Sequence, residues 1–159
     1  APLRYAAPVD DLIAAFKYHG RLANGRLLAE LLTDAIHRAG DPLPGLLLPV
    51  PMHSSTLRER GFNQAAELAR LVAARVEAPW SAAHLRRVRN GSHQRGLGRA
   101  DRLRNLRGAF AARGRLPRHV ALIDDVLTTG ATAHEISRML RSGGVDHIEV
   151  WAVARTPGD

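Results

Sequence analysis

Apolar residues recur at helical spacing in several stretches of the chain. The first helix is predicted over about residues 11–19, where Leu12, Ile13 and Phe16 share one face and Asp10 is a candidate N-cap. The remaining helices are predicted over about residues 26–38, 63–76 and 132–141, with short helices or turns over 55–60 and 100–106. In the segment 55–60, Thr56 and Glu59 have the spacing of a capping box.

Short apolar runs bounded by turn residues lie between these helical stretches. The predicted strands lie within GLLLPVP at 45–51 and over residues 84–88, 119–123 and 148–154. Strands that alternate with helices are typical of a parallel sheet covered on both faces. We therefore predict an α/β fold with a central, mostly parallel sheet and helices on both faces, in a single domain over residues 1–159.

Composition places the chain among ordinary globular proteins. It is 45% hydrophobic and 24% charged over 159 residues, with no apolar run long enough to span a membrane. The first residues lack the basic and apolar regions of a signal peptide, so we expect a cytoplasmic protein without membrane insertion. The absence of cysteine excludes disulfides and thiolate metal sites in this chain.

The net charge is +8, and Lys17 is the single lysine among 23 basic residues. This balance favours phosphates, nucleotides or nucleic acid as partners. Eleven of the arginines lie between Arg86 and Arg118, against one acid, Asp101. We predict a mobile, arginine-rich loop over about residues 86–108 that closes over a charged substrate. A solvated basic surface, or a coding bias toward arginine, is the alternative.

The stretch VALIDDVLTTGAT, residues 120–132, combines a strand, two acids and a small hydroxyl-rich turn before a helix. The turn Thr128–Thr132 and the helix N-terminus can hold a phosphate on backbone N–H groups. Asp124 and Asp125 would repel that phosphate unless they bind another part of the same ligand, such as vicinal hydroxyls, or a bridging metal. A sugar phosphate such as ribose 5-phosphate meets both conditions. The alternative is a simple turn and helix cap.

Two common phosphate motifs are absent. The chain has no GxxxxGK[ST], and the Gly96–Gly98 pair lacks both a third glycine and a preceding strand. A P-loop nucleotidase and a dinucleotide-binding fold are therefore not indicated.

The segment 120–132 resembles the phosphoribosyl-diphosphate (PRPP) signature of type I phosphoribosyltransferases. With residues 12–20, 48–69 and 92–110, the chain resembles the ComF family of competence-associated and GntX-like proteins. The resemblance implies a type I phosphoribosyltransferase-like fold. Members of that family usually carry an N-terminal four-cysteine zinc module, so we expect the natural protein to be longer than this chain.

The resemblance also implies roles for individual residues. Asp124 and Asp125 would be the catalytic acids that hold the ribose hydroxyls, with no metal bound directly by the protein. The phosphate and diphosphate would be bound by residues of three segments: Thr128, Thr129, Gly130, Ala131 and Thr132, then Pro51 and Met52, then Arg58 and Arg60. Gln94 and Arg99 would belong to the mobile cover. His53 is interpreted as a structural turn residue.

Two functions are consistent with these residues. The first is a phosphoribosyltransferase that binds PRPP or ribose 5-phosphate and transfers the phosphoribosyl group to an unknown acceptor, with Mg²⁺ held by the substrate. The second is a non-catalytic protein of the competence machinery that binds single-stranded DNA. The low aromatic content, 4%, weakens the second because base stacking needs aromatic rings. A third hypothesis is that the fold has lost its activity and is retained for interaction with other molecules.

Overall fold

The computed structural model describes residues 1–19, 22–89 and 105–156. Five helices are described in these ranges: α1 (Val9–His19), α2 (Leu22–Ala39), α3 (Ser54–Arg60), α4 (Gln64–Val76) and α5 (Ala131–Ser142). The strands of the same ranges are β1 (Leu3–Arg4), β2 (Leu47–Pro49), β3 (Leu85–Arg87), β4 (Phe110–Ala112), β5 (His119–Leu127) and β6 (His147–Arg155).

Four parallel strands form the central sheet in the order β1-β6-β5-β2. The two long strands, β5 and β6, pair in register from His119 with His147 to Leu127 with Arg155. Strands β3 and β4 form a separate antiparallel pair. The predicted α/β architecture with a parallel central sheet is confirmed.

The sheet is covered on both faces, as predicted. Helices α1, α2 and α4 bury one face, where Ala121 and Ile123 of β5 lie in a core that includes Phe16 and Leu68. Helix α5 and the β3–β4 pair cover the other face. Because side chains alternate along a strand, the even-numbered residues of β5, such as Leu122, point toward this second core.

Several boundaries differ from the sequence prediction. Helix α1 begins at Val9, so Asp10 lies within its first turn and is not an N-cap. Helix α3 is capped by His53, whose Nδ1 accepts from the amide of Ser55, and not by a capping box of Thr56 with Glu59. The imidazole nitrogen of the partly buried His53 satisfies one of the free amides at the start of the helix.

Strand β5 is longer than the predicted 119–123. Its pairing with β6 continues through Asp124 with Ala152 and Val126 with Ala154, so the acidic pair lies in the strand and not in a turn. Strands β1 and β4 were not predicted, since two or three residues are too short for a periodic pattern. Most of the predicted helix over 100–106 and of the loop over 86–108 lies outside the described residues.

None of the helices in the described ranges is both long and apolar enough to cross a membrane.

Candidate functional site

A cavity of about 210 Å³ opens at the carboxyl edge of the sheet, between the ends of β2 and β5. The chain leaves β2 toward α4 on one face and leaves β5 toward α5 on the other, so the cavity lies at the switch point where such sheets bind ligands. Its lining residues are Val50, Pro51, Met52, Thr56, Arg60, Asn63, Gln64, Ala65, Arg87, Asp124 and Thr132.

The two adjacent acids make different contacts. Asp124 lines the cavity on the α5 side. Asp125 is 3% exposed and points toward the helical layer of α1, where one carboxylate oxygen lies 2.6 Å from Lys17 Nζ. The structure therefore brings Asp124, but not Asp125, into the cavity. Sequence reasoning grouped them because it placed both in a turn, where alternation does not apply.

Three groups determine the electrostatics of Asp124. Burial raises the pKa of the Asp124 carboxyl well above its usual value, and the neighbouring Asp125 carboxylate raises it further. The amide of Asp125 donates to Asp124 Oδ1 at 2.9 Å and opposes this rise, as does the charge of Lys17. The cavity thus contains a carboxyl group that takes up a proton more readily than an exposed aspartate.

Lys17 was not predicted as part of this arrangement. It is the single lysine of the chain, and its side chain is 19% exposed where it contacts Asp125. A buried carboxylate requires a nearby cation, and α1 supplies it from more than 100 positions earlier in the sequence. No local motif could have identified this pairing.

The predicted phosphate loop connects β5 to α5 over Thr128–Gly130. Gly130 has φ +71° at the N-cap of α5, a left-handed conformation that suits glycine. Thr129 Oγ1 accepts from the amide of Ala131 at 3.4 Å. Of the five predicted loop residues Thr132 lines the cavity, while Thr128, Thr129, Gly130 and Ala131 are not among its lining residues.

The turn after β2 forms the opposite wall, and both of its predicted residues, Pro51 and Met52, line the cavity. Asn63 fixes this turn, since its Nδ2 donates to the carbonyl of Val50 at 3.1 Å. The same side chain caps α4 by accepting from the amide of Ala65 at 3.0 Å. One asparagine therefore joins the turn to the helix that completes the wall.

Two arginines face the cavity, of which one was predicted. Arg60 lines it, whereas Arg58 is exposed on α3 and does not. Arg87 of β3 was not singled out, although it lies in the arginine-rich segment. It is partly buried, its guanidinium lies 5.7 Å from the centre of the Phe110 ring, and burial lowers its pKa. Asn63, Gln64 and Thr56 also line the cavity but were not predicted as site residues, because no ligand-binding motif marks them.

Gln94 and Arg99, the predicted cover residues, lie outside the described ranges. The flanks of that segment are described and lie together. The amide of Val88 donates to the carbonyl of Ala109 at 2.8 Å, and the amide of Gly108 donates to Glu135 Oε1 on α5 at 2.8 Å. The chain therefore leaves and rejoins the described fold beside Arg87, at the wall of the cavity.

The fold and the cavity define an α/β protein with a polar, arginine-containing pocket at the carboxyl edge of a parallel sheet. Competence protein F of Haemophilus influenzae is 38% identical over 159 residues, which cover 95% of this chain and 69% of that protein. The DNA utilization protein YhgH of Salmonella typhi is 35% identical, with 96% and 69% covered. The chain belongs to the competence protein F family.

Two further comparisons complete the picture. No protein-family model matches the chain. Among solved structures, Leishmania donovani UMP synthase is 18% identical with a TM-score of 0.45, covering 83% of this chain and 22% of that one.

Proposed function

We propose that the chain binds PRPP or ribose 5-phosphate in the carboxyl-edge cavity and transfers the phosphoribosyl group to an acceptor nucleophile. The observation that carries the proposal is the presence of Asp124 and Thr132 in one cavity, at the end of β5 and the start of α5. A carboxylate accepts hydrogen bonds from a diol, and a helix N-terminus favours a phosphate.

The roles of the residues follow from their positions. Asp124 accepts hydrogen bonds from the ribose hydroxyls, and the loop before α5 with Thr132 holds the 5-phosphate. Arg60 and Arg87 lie on other walls of the cavity, where they neutralise charge on the diphosphate as it leaves. Asp125, held by Lys17, positions β5 and keeps Asp124 at the cavity.

The reaction is a displacement at the anomeric carbon. The bond from this carbon to the diphosphate oxygen breaks with its electron pair leaving on the diphosphate, while the acceptor's lone pair forms the new bond. The transition state has oxocarbenium character, as in glycoside cleavage. Cationic side chains assist most where charge develops on the leaving group.

The residues present are consistent with a substrate-bound Mg²⁺. Among the lining residues Asp124 is the one carboxylate, which is too few for a metal site built from protein ligands alone. The ion would therefore be held by substrate oxygens and water, while Asp124 contacts the ribose hydroxyls of the same substrate. When bound, Mg²⁺ supplies positive charge that stabilises the leaving diphosphate.

The cellular role that we propose is in DNA uptake and use, in the cytoplasm and together with the competence machinery. The names of the relatives, competence protein F and DNA utilization protein, support this role.

Calorimetric titration with PRPP, with and without Mg²⁺, tests the proposal. We expect one site per chain, lost in Asp124→Asn and retained in Asp34→Asn, an exposed control on α2 with the same change of charge. If Asp124→Asn still gave a heat of binding, the ligand would bind outside this cavity. Release of diphosphate, followed by ³¹P NMR during slow hydrolysis of PRPP, tests the transfer chemistry separately.

A second candidate function is direct binding of single-stranded DNA by the arginine-rich segment. It is supported by the eleven arginines between Arg86 and Arg118 and by the names of the relatives. Fluorescence anisotropy with a labelled oligonucleotide at fixed salt distinguishes DNA binding by the arginine-rich segment from ligand binding in the cavity. DNA affinity that persists in Asp124→Asn but falls in Arg99→Ser with Arg102→Ser would assign DNA binding to a separate surface.

A further inference from the structure

Two histidines and a glutamate lie together at the amino edge of the sheet, opposite the cavity described above. His119 begins β5 and His147 begins β6, and the two are paired in register. Glu149 lies two residues after His147, on the same face of β6. One possible ligand atom from each of the three side chains lies within 4.8 Å of the other two.

The three side chains are already oriented toward a common point. His119 Nε2 lies 2.6 Å from Glu149 Oε1, and the two imidazole rings meet edge to face with centroids 4.7 Å apart. Trp151 Nε1 donates to the other oxygen, Glu149 Oε2, at 2.7 Å. The indole therefore fixes the carboxylate, in the manner of the outer hydrogen bonds that orient metal ligands.

The cluster is open to solvent on one side. Asp41 and Pro42, in the segment after α2, line a cleft together with the three side chains. His147 is exposed, whereas His119 and Glu149 are partly buried. An ion can enter from solvent, and Asp41 adds a second carboxylate at the rim.

We propose that His119, His147 and Glu149 form a Zn²⁺ site whose fourth position faces the cleft lined by Asp41. Two imidazoles and one carboxylate are a ligand set that Zn²⁺ accepts, at about 2.0–2.2 Å from each atom. Tetrahedral ligands are then roughly 3.3 Å apart. The three atoms, which lie within 4.8 Å of one another, must therefore approach by up to about 1.5 Å, and His147 has the most exposed side chain of the three.

This site is separate from the ribose-phosphate cavity. His119 and Asp124 lie on the same strand five residues apart, which is about 16 Å along β5. A bound ion would join the amino ends of the two central strands and the segment after α2. Because the chain has no cysteine, thiolate ligands cannot compete for the metal.

Titration of this 159-residue chain with Zn²⁺ alone, in competition with a chromophoric chelator, tests the proposal. We expect one ion per chain and a loss of affinity of more than about 100-fold in His147→Ala and in Glu149→Gln. Trp151→Phe should weaken binding by about 10-fold, since it removes only the orienting hydrogen bond. His37→Ala, an exposed histidine at the end of α2, is the matched control and should bind as the parent does.

Spectroscopy with Co²⁺ provides a second measurement. Tetrahedral Co²⁺ absorbs strongly in the visible, and we expect this absorption without the near-ultraviolet band of a thiolate. In a Trp80→Phe background, Co²⁺ should also quench the fluorescence of the remaining Trp151. An absence of stoichiometric binding, or equal affinity in His147→Ala and His37→Ala, would overturn the proposal, provided that circular dichroism shows both variants to be folded.

Discussion

At the scale of single residues, the acids Asp124 and Asp125 perform different tasks. One lines a cavity, and the other forms an internal ion pair with Lys17. Their adjacency has an energetic cost, since two carboxylates in partly desolvated surroundings repel each other. A protein without a ligand to bind would gain stability by losing the cavity-facing charge.

Asp124→Asn should therefore stabilise the protein at neutral pH while removing ribose-phosphate binding. The pKa of Asp124 is raised, so its ionised form costs folding free energy above that pKa, and the cost disappears as pH falls through it. We expect a gain of about 1 kcal/mol, or roughly 2–4 °C in Tm for a chain of this size. Calorimetry at neutral and acidic pH should show a gain that shrinks on acidification. A lower Tm than that of Asp34→Asn at neutral pH would contradict this account.

Lys17→Met should destabilise the fold because it leaves the Asp125 carboxylate buried without its cation. Removal of one partner of a buried pair costs about 3–5 kcal/mol, and the partial exposure of Lys17 reduces this to about 2 kcal/mol. Combination with Asp125→Asn should recover part of the loss, which urea unfolding measures as a double-mutant cycle. The exposed Glu67–Arg70 pair is the control, since Arg70→Ala should cost less than about 1 kcal/mol. Independent, additive effects of Lys17→Met and Asp125→Asn would argue against the pair.

At the scale of elements, α1 and α2 pack through a close contact between an aromatic ring and a glycine. Phe16 is fully buried and meets Phe62 edge to face with centroids 5.7 Å apart. A Cβ atom at Gly25 would lie 2.7 Å from the Phe16 ring. This contact brings α1 and α2 close together at Phe16, which directly precedes Lys17.

Gly25→Ala tests that contact because two effects oppose each other. Alanine favours a helix interior over glycine by about 1 kcal/mol, whereas overpacking of a core costs about 1–3 kcal/mol. Because the Phe16 ring is fully buried, we expect net destabilisation of about 1 kcal/mol by urea unfolding. Addition of Phe16→Leu should make Gly25→Ala neutral or stabilising. If Gly25→Ala alone raised the stability, helix propensity would outweigh the packing term.

Helix α5 also secures the flank of the arginine-rich segment through Glu135. This carboxylate is 5% exposed and accepts from Arg138 Nε at 2.9 Å, Arg138 Nη2 at 2.7 Å and the amide of Gly108 at 2.8 Å. The hydrogen bonds from Arg138 are the main cause that lowers the pKa of Glu135, and the Gly108 amide adds to it.

A lowered pKa means that Glu135 stabilises the fold above the unfolded-state pKa of about 4.3, and that this contribution is lost as pH falls through the folded-state value. Glu135→Gln should therefore cost about 1–3 kcal/mol at pH 7. At a pH below both pKa values of Glu135, the free energies of unfolding of Glu135→Gln and of the parent should differ much less. Urea unfolding at both pH values checks this, with the exposed Glu30→Gln as control. An equal loss at both pH values would show that the carboxylate charge is not involved.

At the scale of the whole molecule, the net charge of +8 is unevenly distributed. Eleven arginines lie in the 33 residues from Arg86 to Arg118, and the two described flanks of the segment 90–104 meet beside the cavity. A polyanion attracted to this region is brought to the site where a ribose phosphate would bind.

We expect affinity for single-stranded DNA to fall linearly with salt on a double-logarithmic plot. Each neutralised phosphate contributes about −0.7 to the slope, so Arg99→Ser with Arg102→Ser should reduce its magnitude by about 1.4. Arg38→Ser with Arg141→Ser removes two exposed arginines outside the segment and should leave the slope unchanged. Anisotropy at several salt concentrations provides the measurement. Equal changes in both double variants would show that only total charge matters.

The sequence by itself determined the alternation of strands and helices, the parallel sheet, and the position of the β5–α5 corner. These features depend on local periodicity and on glycine at the turn, which neighbouring residues specify without knowledge of the rest of the chain. The family resemblance rested on the same local segments. The turn residues Pro51 and Met52 and the acid Asp124 could be predicted as cavity residues for this reason.

Only the tertiary structure decided which acid faces the cavity, because pairing with β6 extends β5 through both acids and imposes alternation on them. It also decided that Lys17 contacts Asp125, that Arg87 reaches the cavity, and that His119 meets His147. Each of these contacts joins residues from separate elements, and their distance depends on strand register and helix packing. A sequence pattern records neighbours along the chain, whereas charge pairing, desolvation and metal ligation depend on neighbours in space.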